Sequence, residues 1–132
     1  AGGGGGGSAS RNTEAQTTAS IADGASGNIE FTTIGKSYSL YKIQSNGAAW
    51  VRIYSDTASR TADAGRTQGQ DPAEGSGVIA EGIFTGSGTL RVTPAVMGWL
   101  DNSESNVPVA VQNNTGSTGT VQVTLTALTL ET

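Results

Sequence analysis

The side chains able to do chemistry in this chain are a set of loop carboxylates and one aromatic–cation stripe. Asp56, Asp63, Asp71 and Glu74 fall in the stretch 56–77, and Asp101 and Glu104 follow Trp99. Two carboxyl groups held across a sugar could hydrolyse it, one as acid and the other as base or nucleophile. There are no His and no Cys residues. That excludes a serine–histidine–carboxylate triad, a cysteine nucleophile, a zinc site of the usual nitrogen and sulfur ligands, and any disulfide. Arg60 and Arg66 interleave with Asp56, Asp63 and Asp71, so these five are expected to form a structural ion-pair network and the chain is not expected to be an enzyme. The 101–106 segment, Asp-Asn-Ser-Glu-Ser-Asn, offers hard oxygen ligands but lacks the ligand spacing and glycine of a calcium loop. No metal and no cofactor are expected.

The stripe is Trp50, Arg52 and Tyr54, alternating with Val51 and Ile53. In a strand, alternate residues share a face, so an aromatic–cation face lies opposite an apolar one. Exposed, Trp50, Arg52 and Tyr54 would stack on sugar rings or anchor a protein partner. Buried, Trp50 and Tyr54 would be core, with Arg52 reaching out at the sheet edge. Trp99 carries the same choice and is expected in the core, because a chain with two Trp residues has little large apolar surface to expose. Gly82, Gly86 and Gly88 have no following helix and no Lys-Ser/Thr pair, so neither phosphate-binding fingerprint is present. Asn113-Asn114-Thr115 matches a glycosylation acceptor, a pattern that often occurs by chance.

The elements that must position these residues read as strands. Residues 38–44 and 49–54 are rich in aromatic and β-branched types, and Ser45-Asn46-Gly47 between them predicts a hairpin. Residues 78–85 and 89–93 form a second predicted pair around Gly86-Ser87-Gly88, stopped by Pro94. Residues 107–112 alternate, with Pro108 placing the strand near an edge or at a strand start. Residues 120–131 put Val121, Val123 and Leu125 on one face and Leu128 and Leu130 on the other parity, which a bulge at Ala127 would reconcile. Weaker strands are expected at 17–22 and 28–34. Within the long loop, residues 57–64 fit a helical turn capped by Asp56 and ended by Gly65. The pattern predicts an all-β fold: an antiparallel β-sandwich of seven to eight strands, jelly-roll-like, with one long loop carrying a short helical turn.

Composition sets the remaining bounds. Leu, Ile, Val and Phe make up 24 of 132 residues, which approaches a disordered composition, but the net charge is only −4. A lean folded domain follows, covering 16–132. Residues 1–15 are expected to be a glycine-rich linker or assembly arm, with Gly2, Gly3, Gly4, Gly5, Gly6 and Gly7 as the arm proper. The chain opens on Ala1 rather than Met and is expected to be a processed piece of something longer. Its seven cations form no stripe, so nucleic acid is not an expected partner. No apolar stretch reaches the roughly 20 residues of a membrane-spanning helix, so no membrane insertion is expected. A small apolar content leaves a monomer marginally stable, so burial between copies is expected, with a trimer favoured.

The segment 38–96 resembles a known module. Tyr-Ser-Leu-Tyr-Lys-Ile-Gln-Ser (38–45), Ala-Ala-Trp-Val-Arg-Ile-Tyr-Ser (48–55), Ala-Ser-Arg-Thr-Ala-Asp-Ala-Gly-Arg (58–66), Asp71-Pro72 and Gly-Ser-Gly-Val-Ile-Ala-Glu (75–81) are similar, in that order, to a module of virion structural proteins of tailed phages, particularly phages of cyanobacteria. The resemblance implies a non-enzymatic tail-fibre, baseplate or head-appended part on the outer surface of a particle, packed with copies of itself and other virion proteins. It brings no catalytic residues. The alternative function is adhesion to cell-surface glycan through exposed aromatics and the 56–77 loop.

Overall fold

Among the described residues, eight strands and one helix appear in the order β1 (Ser10–Thr17), β2 (Ser26–Phe31), β3 (Ser37–Ser45), β4 (Ala49–Tyr54), α1 (Thr57–Ala62), β5 (Val78–Phe84), β6 (Gly88–Trp99), β7 (Val107–Asn113) and β8 (Gln122–Glu131). This is a computed structural model, and it describes residues 10–101 and 103–132. The arm glycines Gly2 to Gly7 lie outside the described residues.

Two antiparallel four-stranded sheets are ordered β1-β8-β3-β6 and β2-β7-β4-β5. Every connection between consecutive strands crosses from one sheet to the other except β4 to β5, which is the eight-stranded jelly-roll arrangement. The expected β-sandwich is therefore present, but neither expected hairpin is. β3 pairs with β6 and β8, while β4 pairs with β5 and β7. Likewise β5 and β6 belong to different sheets. A short polar corner between two strands looks the same in sequence whether it turns within a sheet or between sheets. The 45–48 corner is fixed by the Ser45 hydroxyl donating to the Gly47 carbonyl at 2.6 Å, and by Asn46 exchanging bonds with the Gln122 backbone.

Alternation places the core. Val51 and Ile53 of β4, Val107, Val109 and Val111 of β7, and Val123, Leu125 and Ala127 of β8 meet between the sheets with Phe31, Ile34, Leu40 and Ile43. In β8 the inward parity runs unbroken through Ala127 to the buried Thr129, leaving Leu128 half-buried and Leu130 exposed. The bulge expected at Ala127 is absent. The β3–β8 register slips instead at Tyr41 of β3, where the buried set passes from Tyr38 and Leu40 to Ile43 and Ser45, and at Leu130 of β8, skipped between the Tyr38–Thr129 and Ser37–Glu131 pairs. β6 does not stop at Pro94. It continues to Trp99, and the proline lies where pairing with β3 lapses between Arg91 and Val96 on an edge strand. β7 is not an edge strand, for it lies between β2 and β4, and Pro108 sits one residue before pairing with β4 begins. Gly98 is required where it stands, because a Cβ there would come within 2.2 Å of the Tyr38 ring.

The first strand corrects the domain boundary. Residues 10–15, expected in the arm, belong to β1 and pair along β8, whereas the strand expected at 17–22 reduces to one bridge between Ile21 and Gly119. The sequence conceals β1 because its half-buried positions are Asn12, Glu14 and Gln16. Glu14 accepts from the backbone N–H of Thr32 and Thr33 at 2.9 and 2.8 Å, and Asn12 donates to the Thr33 carbonyl and the Thr129 hydroxyl. This polar seam closes the β1–β2 side of the sandwich, and an inward-pointing charge also protects the β1 edge from strand addition.

Candidate functional site

Trp50, Arg52 and Tyr54 do share one face of β4, but that face is neither exposed nor part of the core between the sheets. Trp50 is 1% and Tyr54 0% exposed. The loop that joins β4 to β5 folds back over them. Asp56 starts α1 as its N-cap, accepting from the Ser59 N–H at 2.7 Å. The helix ends at Ala62 with Asp63 as C-cap, earlier than the Gly65 stop expected from sequence. Asp63 and Arg66 then lie over the stripe.

A single buried network results. Arg66 donates from Nε to Asp63 Oδ1 at 2.9 Å and from Nη1 to Glu81 Oε1 at 3.1 Å. Tyr54 donates its hydroxyl to Asp63 at 2.7 Å, and the Trp50 indole N–H donates to Glu81 at 2.9 Å. The guanidinium of Arg52 stacks 3.9 Å from the Trp50 ring centroid, and that of Arg66 lies 5.0 Å away. Arg52 is 2% exposed and donates to the Ser26 hydroxyl, while its Nε has no partner among the described residues.

The expected five-member network is thus only partly assembled. Asp63 and Arg66 pair with each other, but Arg60 pairs with Glu30 of β2, and Asp56 serves as a helix cap. Asp71 is exposed and joins no ion pair among the described residues. Glu81 is the member that sequence reasoning missed. Its signal was its place directly across from Arg52 in the β4–β5 register, which could be read only once β4 and β5 were known to pair.

The ionisation of these groups follows from their partners. Burial opposes the charge on Asp63, but hydrogen bonds from Arg66 and Tyr54 outweigh it and hold the carboxyl below the usual range. Hydrogen bonding to Asp63 and Glu81 keeps Arg66 firmly protonated. Burial, reinforced by the Asp63 bond, pushes the Tyr54 phenol up to about 12. Burial also opposes the charge on Glu14, and the Thr32, Thr33 and Gln16 donors overcome it and leave that carboxyl lowered. Carboxyls depressed in the folded chain stabilise it above their unfolded values of about 4, and that stability is lost as pH falls through the folded values. The raised phenol contributes stability below about pH 10, lost as pH rises through about 12. With no His and no Cys, no side-chain type of the chain has its ordinary pKa between about 5 and 9. The melting temperature is expected to be flat from about pH 6 to 8 and to fall below about pH 4 and above about pH 10. Calorimetry across this range checks it, and a sharp transition near pH 6.5 would contradict it.

The accessible chemistry lies elsewhere. Trp99, expected in the core, is 52% exposed at the end of β6. It stands beside a groove of about 340 Å³ that runs between Asp101, Ser55, Ser59 and the 72–79 segment. Glu104, a calcium-ligand candidate by sequence, instead accepts from the N–H and hydroxyl of Thr57 and ties its loop to α1. The described residues contain no cluster of three acidic side chains placed to hold a metal. Asn113 of the sequon-like triplet is fully buried, with its amide donating to the Ile21 and Ser117 carbonyls, so it is no surface acceptor. No described helix is long and apolar enough to cross a membrane. Comparison of the chain with protein-family models gives no match, and none of the curated proteins matches it.

Proposed function

We propose that this chain is a non-enzymatic assembly domain of a phage particle, a fibre, baseplate or capsid-appended part on the outer surface, that packs against other copies of itself. The observation that carries the reading is the contrast between the two sides of the sandwich. The β1–β2 side is closed by the Glu14 and Asn12 bonds. The edge strands of the β5–β6 side instead leave apolar side chains in water, with Ile83 54%, Leu90 39% and Met97 56% exposed. In a chain this poor in large apolar residues, the two edge strands β5 and β6 leave these three side chains in water, and contact with a second copy would cover them. The sealed Trp50 stripe supports assembly over adhesion through that face, since Trp50 and Tyr54 are not presented to a ligand. The sequence resemblance to virion modules points the same way, and a trimer fits a fibre.

The flank is tested by Ile83→Lys combined with Met97→Lys. Both side chains are more than half exposed, so the fold is expected to survive. Burying each apolar side chain stabilises by about 1.5–3 kcal/mol, so self-association is expected to weaken by at least about 100-fold in sedimentation velocity. Unchanged sedimentation of the double variant would remove the β5–β6 flank from the interface.

A further inference from the structure

We propose that the groove beside Trp99 is a saccharide-binding site that takes an uncharged pyranose, stacked on the indole and hydrogen-bonded to Asp101 and the serines around it. The groove borders the β5–β6 edge, being lined by Val78 and Ile79 of β5 and by Trp99 of β6, two residues from Met97, and the sugar probes and the sedimentation readout keep the two proposals distinguishable.

Three observations support it. The first is the platform. Trp99 is one of two Trp residues and the one left in contact with water, at 52% exposure, whereas Trp50 is sealed. An indole has an apolar face that fits the C–H face of a pyranose, and its exposure at a groove is unfavourable unless something covers it. The second is the lining. Ser59, Ser76 and Asp101 place two hydroxyls and one carboxylate around the groove, with the buried Ser55 beneath them. Sugars are recognised by this combination of an aromatic surface and convergent polar groups. A proline-rich peptide needs a row of aromatic side chains, and Trp99 is the single aromatic among the described lining residues.

The third is rigidity. Ser55 donates its N–H to the Gly77 carbonyl at 2.9 Å, Asp101 donates to the Ser55 carbonyl at 3.0 Å, and Leu100 donates to the Lys36 carbonyl at 2.8 Å. These bonds tie the 72–79 segment, the end of β4 and the end of β6 into one frame around the groove. Gly77 adopts a φ of +84°, and a Cβ there would fall 2.2 Å from the Ser59 hydroxyl, so glycine alone lets the segment lie against α1. A preformed site loses little entropy on binding a small ligand. Charge then selects among sugars. The described lining holds no Lys or Arg and includes Asp101, so uronic and sialic acids are disfavoured relative to neutral hexoses and N-acetylhexosamines.

Saturation-transfer NMR on the full chain tests the site. The probes are methyl β-glucopyranoside, methyl β-galactopyranoside, methyl α-mannopyranoside, N-acetylglucosamine and, as an acidic counter-probe, glucuronate. At least one neutral probe is expected to receive transfer on its ring C–H protons, with dissociation constants of about 1–10 mM, the weak range usual for one small ring. Trp99→Ala is expected to lower affinity more than about tenfold, Trp99→Phe to retain part of it, and Asp101→Asn to weaken it several-fold. The melting temperature and sedimentation of these variants are expected to stay those of the parent, since both side chains are exposed. Absence of transfer to every neutral probe, undiminished transfer in Trp99→Ala, or preference for glucuronate would overturn the proposal. So would an indole response to a proline-rich peptide but to no sugar.

Discussion

Trp50→Ala is expected to destabilise the chain by about 3–5 kcal/mol, the range for removing a fully buried large aromatic. The residue is 1% exposed, and its loss does more than open a cavity. It takes away the ring on which Arg52 and Arg66 lie and the indole N–H that Glu81 accepts. Since small domains hold about 5–15 kcal/mol in total, the variant should unfold at much lower urea concentration. Trp50→Phe keeps an aromatic face but loses the N–H, and is expected to cost about 1–2 kcal/mol. A loss below about 1 kcal/mol for Trp50→Ala in equilibrium urea unfolding would mean that the loop 56–77 does not cover the stripe in solution.

Arg66→Ala is the second large effect, expected at about 3–5 kcal/mol because it leaves buried charge without its partner. The Arg66 and Asp63 side chains are only 7% and 8% exposed, and Glu81, at 29%, is also held by the same guanidinium. Lys cannot replace it. Arg66 reaches Asp63 with Nε and Nη2 while Nη1 reaches Glu81 and the Gln70 carbonyl, a planar fork that one ammonium cannot reproduce. Arg66→Lys is therefore expected to recover less than half of the loss. Full recovery by Lys, in thermal or urea unfolding, would show that only a charge is needed at this position.

These two residues also show how far the sequence could be read. Trp50, Arg52 and Tyr54 share a face by simple strand alternation, and the structure keeps them together. What covers that face was not legible. Alternation says which residues are on the same side but not whether the side meets water, the other sheet or the chain's own loop. The same limit explains Trp99, whose size argued for burial while its place at the end of an edge strand leaves it exposed. The expected sandwich and the helix cap at Asp56 rest on local rules of period and capping, and the structure contains both. The two expected hairpins give way to pairing with strands distant in sequence, β3 with β6 and β8 and β6 with β3, a choice that local turn residues do not encode. β1 is hidden for another reason: its inward side is Asn12, Glu14 and Gln16, a polar seam that no apolar pattern could reveal.

The lean composition takes on a different meaning in this light. One sheet is covered on its outer side by a polar network of Arg66, Asp63 and Glu81 rather than by apolar residues. The core between the sheets is built mainly of valines, isoleucines and a few larger side chains. Such a domain folds with few apolar residues, and those it leaves on the β5–β6 flank are the reason for reading it as a part that packs against its own kind.

The most direct test of that reading is the solution mass of the full chain by light scattering coupled to size-exclusion chromatography at about 1–100 μM, the range in which a specific but modest interface populates. The expected result is a mass that rises with concentration to three chain masses. A single chain mass across the whole range would contradict it.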